Sequence, residues 1–263
     1  MATTTRAPRR AREELRELVV DAGMAILAEE GLRTGADLTF KRVFARVEAD
    51  TGVRLTNASV IRRVWVDQAD FQSEIMARVV AGTNEAGQLA AAHGLLEPLM
   101  DTFDVSTPEA RWAGLVEIVR LGGAVAIETR VGTRDWELWV GVWVVTVTNP
   151  GAKVDGKLRQ ALSEGLEETG EAWDQLFAAM HRQLGLRLRP GLTLRQLTES
   201  TGALAAGFSL RQASRDEPQV YQRPTGPGGE LQEWTLLGFG LEALALQFLE
   251  LDPDWEPPAD AGS

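Results

Sequence analysis

The chain has 263 residues, 44% of them hydrophobic and 25% charged, enough to bury a core in one large domain or two modest ones. It has no cysteine, which excludes disulfides, thiolate metal sites and cysteine nucleophiles and fits a reducing compartment. The net charge of −11 is unevenly placed: residues 1–66 carry 12 basic and 9 acidic side chains and residues 67–263 carry 15 and 29, so a mildly basic head precedes a strongly acidic body.

The opening MATTTRAPRRAREE lacks the apolar stretch of a secretory signal. The most apolar run, Leu138 to Val147, is about half of the roughly 20 residues a bilayer crossing needs. The expectation is a cytoplasmic protein with no membrane partner.

From Arg12 to Glu30, Leu15, Leu18, Val19, Ala22 and Ile26 recur at three- and four-residue steps, the stripe of an amphipathic helix, and Gly31 is a natural stop. Thr39 is placed to cap a second helix that turns Phe40, Val43, Phe44 and Val47 inward and closes at Gly52. After the turn RLTNA, Thr56 or Asn57 caps a third helix with Val60, Ile61, Val64 and Trp65 inward and Ser59, Arg62 and Arg63 on its other face. Three short helices with a glycine turn between the second and third form a helix-turn-helix pattern, one that ordinary helical bundles share. A fourth helix opens at Asp67, with Asp70 in a capping-box-like position and Phe71, Ile75, Met76 and Val79 on one face.

The stretches AREELRELVVDAGMAILAEEGL, TFKRVFARVEADTGV, SVIRRVW and DQADFQSEIMARVV resemble, in order and spacing, the DNA-binding region of the tetracycline-repressor (TetR) family over roughly residues 10–80. The resemblance implies an all-α fold, with a helix-turn-helix DNA-binding domain over 1–66 and a helical ligand-binding and dimerisation domain over 67–263. It also implies a function: a homodimeric transcriptional regulator, a repressor in the usual case, that binds a palindromic operator and is released by a small, mostly apolar effector. The turn RLTNA is two or three residues longer than the family's, so the position of a phosphate-touching tyrosine falls on Ile61 in one register and on Arg62 in the other. The lengthened turn and the low positive charge of the head favour an alternative, a family member without DNA binding that acts as a ligand- or protein-interaction module.

In helix-turn-helix geometry the start of the third helix enters the major groove. Thr56, Asn57, Ser59, Arg62 and Arg63 are the candidate base and backbone readers, with Asn57 either on an adenine edge or serving only as a cap. Lys41, Arg42 and Arg54, with the arm Arg6, Arg9 and Arg10, are candidate phosphate grips or plain surface charges.

Beyond residue 85 four or five further helices are expected. One is opened by Thr107 and Pro108 and runs to about Arg130; the others span about 134–148, 154–184, 194–213 and 230–251. The second is rich in β-branched residues, but Trp136, Trp139 and Trp143 keep helical spacing. The segment RDEPQVYQRPTGPGG predicts a mobile loop, and the last helix is apolar nearly all round. The resemblance implies that 193–213 and 230–251 form the homodimer interface and that Trp112, Trp139 and Trp143 line the effector cavity, with core packing the plainer role for each.

The two histidines, His93 and His181, lack neighbouring acids at ligand spacing, and no nucleophile elbow, P-loop or dinucleotide fingerprint is present. No catalytic residue, metal or cofactor is expected.

Overall fold

In the computed structural model, the described residues are 12–31, 38–56, 64–82, 85–148, 155–225 and 229–257. In chain order they form α1 (Arg12–Glu30), α2 (Phe40–Thr51), α3 (Gln68–Gly82), α4 (Glu85–Met100), α5 (Pro108–Glu128), α6 (Arg134–Thr148), α7 (Asp155–Gln183), β1 (Leu186–Leu188), α8 (Leu194–Ala213), β2 (Val220–Pro224), β3 (Leu231–Thr235), α9 (Leu236–Phe248) and β4 (Leu249–Leu251). The fold is all-α in class, with four short strands among the described residues. None of the helices described is long and apolar enough to cross a membrane.

The chain divides into two compact units. The first comprises Met1–Thr83 and Arg134–Gly165, the second Asn84–Thr133 and Leu166–Ser263. This division does not follow a single cut at residue 66, because α3, α6 and the start of α7 supply part of the first unit's core.

In the first unit, α1, α2 and α3 turn Val19, Leu27, Val43, Phe71 and Ile75 into one apolar cluster, joined by Leu138 and Val142 of α6 and Leu158 and Leu162 of α7. The aromatic centre is tight. Phe40 stacks on Phe71 at 4.7 Å between centroids, and Trp65 meets Phe71 edge-on at 5.0 Å. Buried indole N–H groups need a partner, and the Trp65 Nε1–H donates to Glu74 Oε2 at 2.7 Å.

Helix boundaries follow local chemistry. The Thr39 hydroxyl accepts from the Arg42 amide at 3.4 Å at the start of α2. Gly52 ends it at φ +70°, a left-handed conformation that a side chain would strain, and donates to the Glu48 carbonyl at 2.9 Å. Asp67 Oδ1 accepts from the Asp70 amide at 2.9 Å, while Asp70 reaches back to the Val66 amide at 3.2 Å. The β-branched run of α6 is helical, as its tryptophan spacing predicts: Trp136, Leu138 and Val142 are buried, and Thr146 donates back to the Val142 carbonyl at 2.8 Å.

In the second unit, α5 packs on α8 and α9. The approach of α5 to α9 is close enough that a Cβ on Gly123 would lie 2.6 Å from the Gly238 backbone nitrogen. Strands β1 and β4 pair antiparallel, with Leu186 opposite Leu251 and Leu188 opposite Leu249.

Two expectations for the C-terminal region need correction. The segment expected as a mobile loop contains β2, which pairs with β3 in an antiparallel hairpin from Val220 opposite Thr235 to Pro224 opposite Leu231. The helix expected over 230–251 covers only Leu236–Phe248, flanked by β3 and β4. The physical reason lies in Trp234, which is 1% exposed. Its indole donates to the Thr225 hydroxyl at 2.9 Å, and Arg223 lies over its ring at 4.7 Å while pairing with Glu242 through both guanidinium nitrogens. Those contacts need an extended chain on both sides of the turn. The helix starts only at Thr235, whose hydroxyl accepts from the Gly238 amide at 3.0 Å.

Candidate functional site

The first unit carries the residues expected to meet DNA. Lys41 is exposed on α2, and Thr56 is exposed beyond Gly52. Arg42 is paired with Glu30 across the α1–α2 contact. Arg54, 83% exposed at its side chain, has its Nε 3.5 Å from Glu48. Beside them Arg46 grips Glu29 with two nitrogens, each at 2.7 Å, and Asp50 at 2.6 Å, and that bidentate contact holds the Glu29 carboxyl below its ordinary range. Asn57, Ser59, Arg62 and Arg63 lie outside the described residues, as does the arm with Arg6, Arg9 and Arg10.

The second unit contains a cavity of about 140 Å³. Its floor is the inward stripe of α7, where Trp173, Phe177, Met180 and His181 fall at i, i+4, i+7 and i+8, and its other walls come from α4, α5, α8, α9 and the first residue of β4. The walls are mostly aliphatic and aromatic, with the Trp173 and Phe177 rings 5.6 Å apart and tilted by 46°.

The polar side chains that interrupt this surface are Arg130, Gln88 and His181 together with Thr129, Thr198 and Thr201. Arg130 lines the cavity and donates from Nη1 to the Ala126 carbonyl at 3.0 Å. Gln88 and His181 are each 6% exposed. The Gln88 Oε1 and His181 Nε2 atoms are buried and have no hydrogen-bond partner among the described residues. Burial pushes the His181 imidazole down to about 4, so the ring is neutral near pH 7. Nearby, the Thr198 hydroxyl donates to Asp174 Oδ1 at 2.5 Å, and Arg195 holds the other oxygen of that carboxylate at 3.3 Å, so this acid is already engaged.

None of the three tryptophans expected at an effector site lines this cavity. Trp112 is half-buried against the second unit's core and is not a wall residue of the cavity. Trp139 and Trp143 belong to α6 in the first unit, stacked on each other at 6.4 Å, with Trp143 40% exposed. Trp173 is the tryptophan that lines the cavity, beside Arg130. Gln88 and His181 were missed. The signal for His181 was its place on the same stripe as Trp173 and Phe177; for Gln88 the sequence offers none. His93 is exposed, and among the described residues no group of three or more acids and histidines is placed to hold a metal ion.

The chain matches no family model and none of the curated proteins compared with it.

Proposed function

We propose that the protein is a ligand-responsive DNA-binding transcriptional regulator, acting as a homodimer on a palindromic operator, with the cavity of the second unit as its effector site. The observation that carries the reading is that cavity: a largely apolar pocket with a few buried polar atoms is the usual form of a small-molecule site. The DNA-binding half of the reading rests on the order and spacing of the N-terminal helices. It is supported by the Thr39 and Gly52 caps, which bound α2 as a helix-turn-helix pattern requires. Dimerisation through 193–213 and 230–251 belongs to the same proposal; Leu210, Leu231 and Leu246, 42%, 66% and 48% exposed, are apolar side chains it would cover.

The test is selection of randomised duplex DNA by the full-length protein at physiological salt. A recurring palindrome is expected, with affinity that falls steeply as salt rises. No enrichment, with and without the cavity's ligand, from a folded protein would overturn the reading. Arg62→Ala or Arg63→Ala should weaken binding by about 1–3 kcal/mol for a base contact and relax the preference at one base position.

One observation favours a second reading, an interaction module that has no DNA role. Arg42, Arg46 and Arg54 each have a carboxylate of the same chain beside them, in Glu30, Glu29 with Asp50, and Glu48. Phosphates would have to displace these partners, although exposed pairs of this kind contribute only about 0–1 kcal/mol each.

A further inference from the structure

One face of α5 lines the cavity from near the start of the helix to just past its end, and its character changes along the way. We propose that the cavity binds an amphiphilic monoanion, a carboxylate on an unbranched apolar chain, with the chain along α5 and the carboxylate at Arg130. The inference rests on taking the cavity as the effector site and adds the ligand's class.

The apolar length of α5 argues for the chain. Its wall residues Leu115, Val119, Gly122 and Ala126 follow at steps of four, three and four, which is a single helix face. Their helical rise covers about 16 Å with no polar side chain among them. A Cβ on Gly122 would meet nothing within 4 Å, so the middle of this face fronts open space. Trp173 and Phe177 of α7 supply a further apolar wall.

The end of the same face argues for the anion. One turn beyond Ala126 it becomes polar, at Thr129 and Arg130. The Arg130 Nη1 donates to the Ala126 carbonyl at 3.0 Å, which lays the guanidinium back along α5 beside the last apolar wall residue. A planar guanidinium matches a carboxylate in shape as well as charge. Arg130 is half-buried, so a carboxylate held there keeps part of its hydration and escapes the cost of complete burial.

Charge excludes the opposite sign. Among the described residues Arg130 is the one charged wall residue, and no acid lines the cavity. A cationic amphiphile would meet like charge and no counter-charge. A neutral chain would fill the apolar length and forgo Arg130.

The experiment is calorimetric titration of the full-length protein at neutral pH with decanoate, 1-decanol, decyltrimethylammonium and benzoate, each kept monomeric. Decanoate should bind one to one and about 10- to 100-fold tighter than decanol, the range of one hydrogen bond to a charged group. Decyltrimethylammonium brings the wrong charge and benzoate the charge without the chain, so both should bind more weakly than decanoate. Arg130→Gln should bring decanoate down to the level of decanol and leave decanol unchanged. Gly122→Leu, whose side chain starts in open space on the cavity face, should abolish binding of all four. The proposal is overturned by decanol, decyltrimethylammonium or benzoate binding as tightly as decanoate, by decanoate binding that either variant leaves intact, or by no saturable binding of decanoate. If a variant does not fold, as judged by circular dichroism, the ligand series on the unaltered protein decides. An operator recovered by DNA selection with no decanoate binding sinks this inference alone. Decanoate binding with no DNA enrichment sinks the regulator reading alone.

Discussion

Gly122 and Gly123 stand side by side in α5, and a methyl group on each would meet opposite surroundings. A Cβ on Gly122 meets nothing within 4 Å, so Gly122→Ala should stabilise the protein by about 0.5–1 kcal/mol, through the lower helix propensity of glycine alone. On Gly123 the same atom would lie 2.6 Å and 2.8 Å from the Gly238 nitrogen and Cα. Backbone cannot swing aside, so Gly123→Ala should destabilise by about 1–3 kcal/mol. Urea unfolding of the two variants gives shifts of opposite sign if α5 and α9 approach as described. His181 carries a second test. Its folded value, about 4, lies below its ordinary 6.5, so the unfolded chain takes up a proton first as pH falls. The stability this histidine contributes is present above 6.5 and is lost as pH falls toward 4, by up to about 3 kcal/mol at roughly 1.4 kcal/mol per unit. His181→Leu should lack that component, and denaturation curves over this range that fall as steeply as the parent's would count against a neutral, buried imidazole.

At the scale of the element, the caps were legible because they are local. A threonine hydroxyl meets an amide three residues on, and a glycine turns left-handed where a helix stops, so α2 could be bounded from the sequence to the residue. Two substitutions weigh those caps: Thr39→Ala should cost about 1 kcal/mol and Gly52→Ala about 1–2 kcal/mol, seen as lower unfolding midpoints with an unchanged denaturant slope. The β2–β3 hairpin was not legible for the converse reason. Leu231, Trp234 and Leu237 keep helical spacing, and what holds Trp234 extended is a set of contacts to Thr225 and Arg223 on the paired strand. The cavity escaped the sequence in the same way. Trp139 and Trp143 advertise themselves by size, whereas Gln88 lines the cavity only because the fold brings α4 to the stripe of α7.

For the whole molecule, the informative fact is that the first unit is discontinuous. Phe71 and Ile75 are fully buried, and Val142 and Leu158 are 1% and 4% exposed, in the same cluster as α1 and α2. A fragment of residues 1–66, the head expected from the sequence, lacks all four. It should therefore remain largely unfolded, with a far-UV spectrum well short of helical and poorly dispersed amide resonances; a cooperatively folded fragment would show that residues 1–66 suffice alone. Hydrophobic periodicity reports which face of a helix is buried and says nothing of the partner that buries it, so the contribution of α6 and α7 to this core could not be read from the sequence.

That discontinuity has a consequence during synthesis. The ribosome releases residues 1–83 of the first unit, then fifty residues that belong to the second, and only afterwards the 134–165 segment that completes the first. At about 5–20 residues per second, the nascent helices α1 to α3 wait on the order of 4–16 seconds with their apolar faces unsealed. The interval is long enough for holding chaperones to engage them, so in a living cell the yield of this protein depends on the pace of translation through residues 84–165 as well as on the stability of the finished fold.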